Sequence, residues 1–107
     1  MTTIFTVSFG KTAGTTASAA TLYTAPAGKV SVLRDVVLYC GAAGGGTLQL
    51  FLQSGSLSIY LLRPTFSGPA TEHLELRQCV QPGEQLVVQS FFDAYWSAAL
   101  TGYQFEA

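Results

Sequence analysis

The stretch TLQLFLQSGSLSIYLL, residues 47–62, decides the fold class. Leu48, Leu50 and Leu52 alternate with Thr47, Gln49 and Gln53, a period of two that a strand with one face on a core produces and a helix does not. The leucines are expected to face in and the polar residues out. Ser54-Gly55-Ser56 then reads as a turn, and apolar positions resume at Leu57, Ile59 and Leu61, the spacing of a β-hairpin.

Working outward, the same period recurs. Lys29 to Cys40 reads as the longest strand, with Val30, Val32, Val36 and Leu38 expected on one side and Leu33, Val37 and Tyr39 on the other. It is entered through Pro26-Ala27-Gly28, where proline presets φ and glycine accepts a positive value. Further upstream, Phe5, Val7 and Phe9 alternate with Thr6 and Ser8, and a small-residue loop from Gly10 to about Ala20 leads to Leu22 and Tyr23. Gly41 to Gly46 is a connector with too little side chain to pack.

Downstream, Arg63-Pro64 ends the hairpin, because proline cannot donate to a ladder. After a loop from Pro64 to Ala70, Leu74 and Leu76 alternate with His73, Glu75 and Arg77 along Thr71 to Val80. Gln81-Pro82-Gly83-Glu84 is a second turn, Leu86 and Val88 open the next strand, and Trp96 to Glu106 closes the series with Tyr103 and Phe105 on one face. About eight strands at this spacing, with no helical stripe, predict an all-β chain: a single antiparallel β-sandwich in jelly-roll or Greek-key order. One domain spans 1–107, with 1–20 as an N-terminal strand and small-residue arm and 21–107 as the main sandwich.

Of the 107 residues, 49% are hydrophobic and 10% are charged, against about a quarter charged in ordinary domains. A core of this size hides roughly two thirds of the surface of the unfolded chain, so its own core cannot take every apolar side chain from water. A homo-oligomer or lattice subunit is expected. The net charge is −1, and Lys11, Lys29, Arg34, Arg63 and Arg77 are scattered, which disfavours nucleic acid as a partner. Arg34 and Asp35 interrupt the longest apolar stretch, Val30 to Cys40, far short of the roughly 20 residues of a spanning helix, so no membrane partner is expected. Met1 to Phe9 lacks the basic leader of an export signal.

The search for chemistry is nearly empty. His73, the sole imidazole, lies between Glu72 and Glu75 on the face opposite Leu74 and Leu76, which predicts an exposed histidine rather than a base. No GxSxG elbow accompanies it, and Gly41 to Gly46 lacks the Lys-Ser/Thr of a phosphate loop, so no enzyme and no cofactor are expected. Cys40, Cys79 and His73 offer three of the four ligands of a structural zinc, so no metal is expected. The two cysteines read as reduced, partly buried thiols; a disulfide is the alternative, since both end strands that could be neighbours. Arg34-Asp35 reads as an intrastrand or cross-strand charge feature.

One cluster stands out as a binding candidate: Phe91, Phe92, Tyr95 and Trp96, four aromatics in six residues around a turn. Core packing, a protein interface and sugar stacking are all open to it.

The run Leu22 to Leu38, with Tyr23-Thr24-Ala25-Pro26-Ala27-Gly28-Lys29 at its start, followed by Val80-Gln81-Pro82-Gly83-Glu84-Gln85-Leu86-Val87-Val88 and Leu100-Thr101-Gly102-Tyr103-Gln104-Phe105, resembles the small β-sandwich structural proteins of tailed bacteriophage virions. The resemblance spans Leu22 to the C-terminus. It implies a capsid decoration (cement) protein that binds and stabilises the major capsid protein shell, with a tail or tail-fibre component, including a receptor- or carbohydrate-binding module, as the alternative. It also implies a virion location after synthesis in the host bacterial cytoplasm. Three-fold positions on a capsid suggest a homotrimer, with other virion proteins as partners and no small-molecule ligand.

Overall fold

The computed structural model describes the backbone from Phe5 to Glu106 and the side chains from Phe9 to Phe105. The face expected of Phe5 and Val7 lies outside the described residues. Nine strands follow in order: β1 (Phe5–Gly14), β2 (Ala19–Thr24), β3 (Lys29–Cys40), β4 (Gly46–Ser54), β5 (Leu57–Leu62), β6 (Thr65–Phe66), β7 (Ala70–Val80), β8 (Gln85–Ser90) and β9 (Trp96–Glu106). None of the described residues forms a helix long and apolar enough to cross a membrane.

The pairing is nested. β4 and β5 form the central hairpin, and β3 pairs with β7, β2 with β8 and β1 with β9, all antiparallel. Wrapping this long double ribbon brings β9 beside β3 and β8 beside β4, giving one sheet in the order β1-β9-β3-β7 and another in the order β2-β8-β4-β5, with β6 added to β4. That wrapped order is a jelly roll, the more specific of the two topologies the strand spacing allowed.

Leu48, Leu50 and Leu52 of β4, Leu86 and Val88 of β8, and Trp96, Ala98 and Leu100 of β9 fill the space between the sheets, removing apolar surface from water at roughly 25 cal/mol per Å². The hairpin turn is Gly55-Ser56, closed by Ser54 opposite Leu57. Gly55 has φ +61° and no non-glycine residue among those described has positive φ, the pattern of a two-residue II′ turn that matches strand twist.

Two expectations need correction. The loop placed at Gly10 to Ala20 shrinks to residues 15–18, because β1 continues to Gly14 and β2 begins at Ala19. Small residues allow this: Gly14 lies against the Trp96 indole, where a Cβ would come within 2.8 Å of Nε1. The face assignment of β3 also changes. Ser31 and Leu33 point in, and so do Val36, Leu38 and Cys40, while Val30 and Val32 lie on the outer side with Val37 and Tyr39.

A bulge at Arg34 causes the switch. Leu33 faces Gly102 and Asp35 faces Thr101, so β3 carries one residue more than β9 there; Leu33 faces Gln78 and Asp35 faces Glu75, so β7 carries one more than β3. β1 carries an extra residue against β9 at the same level, between Ser8 and Gly10. A line of bulges thus crosses the whole sheet, and each extra residue turns the following side chains to the other face. Gly102 sits on that line because a Cβ there would collide with the Val32 carbonyl and the Phe9 ring.

Candidate interaction surface

The four clustered aromatics do not form one site. Trp96, read as a candidate contact ring, is 1% exposed and belongs to the core. The first residue of β9 points between the sheets, and its indole N–H donates to the Thr16 carbonyl at 3.3 Å. Asp93 fastens the same loop by accepting the Ala17 N–H at 2.8 Å. Phe92 is half-buried, packed on the core and against Gly46. Neither ring is free to meet a partner.

Tyr95 and Phe91 are exposed, on opposite sides of the sandwich. The Tyr95 carbonyl accepts the Gly41 N–H at 2.7 Å, which holds its ring 5.8 Å from that of Tyr39 beside the outer face of the β1-β9-β3-β7 sheet. There it borders a shallow groove of ≈ 430 Å³ whose floor includes Val37 and Ala99. Phe91 donates its N–H to the Thr47 carbonyl at 3.1 Å, which places its ring by the second sheet instead. Arg63 lies over that ring, 5.3 Å from the centroid, a cation–π contact.

A surface that the aromatic cluster did not announce lies on β5. This is an edge strand, paired with β4 on one side only. Leu57 and Ile59, paired with Ser54 and Leu52, sit on the core side of the sheet, yet they are 60% and 42% exposed and, unlike Leu61 and Leu62, do not pack on the core. Tyr60 projects from the other face, 69% exposed, edge-on to Phe51 at 5.9 Å. The strand LSIYLL contains no charge and no proline, the devices that ordinarily blunt an open edge. The sequence signal was present in that missing charge, but alternation marked Leu57 and Ile59 as ordinary inner residues.

The polar candidates are also placed. His73 is exposed on β7, and its Nε2 is 3.1 Å from Asp35 Oδ1 across the strand pair, the cross-strand feature expected of Asp35. Cys40 is buried and Cys79 exposed, and both are free thiols. Cys79 stands opposite Val32, eight residues along β3 from Cys40, a separation of about 26 Å at strand rise, so the disulfide alternative fails on distance. No group of three or more His, Cys, Asp or Glu side chains able to hold a metal lies among the described residues.

The fold defines the class: an eight-stranded jelly roll with a short ninth strand and an uncharged, open edge. The sequence matches no protein-family model and no curated protein. Among solved structures the chain is similar to the Drosophila NLP core, with TM-score 0.53 and 10% identity over 94% of this chain and 96% of that one. That structure bears on pentamer formation and histone binding by NLP. It is also similar to VP2 in the infectious bursal disease virus subviral particle (TM-score 0.52, 11% identity) and to a structure of the Gx strain of that virus (0.52, 10%). Each of these two alignments covers 98% of this chain, and 33% and 32% of the viral chain. At such identities the shared property is the fold.

Proposed function

We propose that this chain is a structural subunit of a virus particle, and specifically a capsid decoration protein of a tailed bacteriophage. In this reading it is a homo-oligomer, with a trimer as the first expectation, that seats on the major capsid protein and links neighbouring capsomers in the virion. It acts by surface complementarity and not as an enzyme. The observation that carries the reading is the open β5 edge, where Leu57 and Ile59 stand exposed on a strand with no charge. Such a strand gains by joining another protein, because burying it removes apolar area and leaves no ion to desolvate. Viral capsid proteins among the fold neighbours support the same role.

The test is to mix purified protein with capsid shells lacking it. Stoichiometric co-sedimentation and raised heat resistance of the shell are expected, both lost with Ile59→Lys. Absence of binding to shells, with the protein found on purified tails, would move it to the second reading, a tail or tail-fibre component. The exposed rings of Tyr60 and Phe91 favour that location.

A further inference from the structure

Gln49 occupies an outward position on β4, between the inward Leu48 and Leu50, yet it is 7% exposed. Its side-chain amide makes no hydrogen bond among the described residues, whereas every side-chain nitrogen or oxygen sealed from solvent there has a partner. The amide must therefore open onto the groove that Gln49 lines with Tyr60, Arg63 and Phe91, a space of ≈ 380 Å³ within the usual size of ligand sites. An amide that is almost buried, unpartnered and still reachable has donors and an acceptor on offer.

Its neighbours narrow the ligand. Arg63 lies over the Phe91 ring and has neither a carboxylate partner nor a hydrogen-bond acceptor among the described residues, so two of its N–H groups are on offer to grip a carboxylate. Tyr60 lies 5.9 Å from Phe51 between ring centroids and is 69% exposed. We propose that this groove binds a saccharide carrying a carboxylate, a uronic or sialic acid unit. Arg63 takes the carboxylate, the Gln49 amide pairs with a hydroxyl, which like itself both donates and accepts, and Tyr60 covers the C–H face of the sugar ring. A bare anion would use Arg63 and leave Gln49 and Tyr60 idle; a neutral sugar would leave Arg63 idle. The proposal stands independently of any capsid role.

The test is titration of the ¹⁵N-labelled full chain with glucuronate, glucose and acetate, followed by NMR. Glucuronate is expected to shift the Gln49 side-chain NH₂ and Arg63 Nε–H signals saturably, with millimolar affinity. Glucose should bind about tenfold more weakly, the cost of the missing charge-assisted bond, and acetate should not saturate. Arg63→Gln should make glucuronate and glucose equal, and Tyr60→Ala should abolish both; these side chains are exposed, so both variants should melt like the parent. The proposal is overturned if acetate binds as well as glucuronate, if Arg63→Gln keeps the preference for glucuronate, or if no sugar moves the Gln49 signal.

Discussion

Tyr23 Oη lies 2.6 Å from Ser31 Oγ, a hydrogen bond that joins β2 of one sheet to β3 of the other. The Gln104 amide of β9 donates to the same phenol at 2.6 Å and approaches the Ser31 hydroxyl at 3.5 Å. Ser31 is fully buried, so the cluster fastens the two sheets at the end of the sandwich where the chain crosses between them. The turns beside it are joined too: Ala25 N–H donates to the Glu84 carbonyl at 2.9 Å, and Gly83 N–H to the Ala25 carbonyl at 3.0 Å.

Tyr23→Phe should therefore destabilise the fold by about 1–2 kcal/mol and lower Tm by several degrees, because it strips a partner from buried polar groups. A double-mutant cycle with Ser31→Ala, read by urea denaturation, should give a coupling of about 0.5 kcal/mol or more. Strict additivity would mean that the pair contributes nothing.

Adjacent aromatic residues should behave in opposite ways. Trp96→Ala empties the core at its largest fully buried side chain and should cost about 3–5 kcal/mol, a large share of the roughly 5–15 kcal/mol that holds a domain together. Tyr95→Ala, at a half-exposed ring, should change stability by no more than about 1 kcal/mol. Denaturation midpoints of the two variants check both statements.

The thiols should separate by accessibility. Cys79 should react at once with a thiol reagent in native buffer and Cys40 only after denaturation, since the first is exposed and the second buried. One fast thiol per chain is the expected count. Two fast thiols would show that the β3 end of the core opens readily.

Much of this architecture was legible in the residues, and the failures have physical causes. Alternation located the strands, and β3 runs from Lys29 to Cys40 as read. The face switch at Arg34 was not legible, because the bulge exists only in relation to β9 and β7, which are distant in sequence. The aromatic cluster left core packing, an interface and sugar stacking all open, because neighbours along a turn can be sent to different places: Trp96 inward, Tyr95 to one outer face and Phe91 to the other side. Gln49 was correctly read as outward, but the residues that cover it come from β5, its following loop and the turn after β8, and only tertiary structure brings them together. The exposure of Leu57 and Ile59 was hidden for a related reason, since alternation reports the side of a sheet and not whether anything lies above it.

The central claim is that the open β5 edge makes this chain a subunit rather than a free monomer. Sedimentation equilibrium of the purified protein at micromolar concentration tests it most directly. A multiple of the 11.3 kDa chain mass is expected, falling to the single-chain mass in the Leu57→Lys, Ile59→Lys double variant, which should still unfold cooperatively but at a lower Tm, because dissociation removes the stabilisation that the interface gives the parent. A parent protein that stays at the single-chain mass, stable and without self-association, would contradict the account.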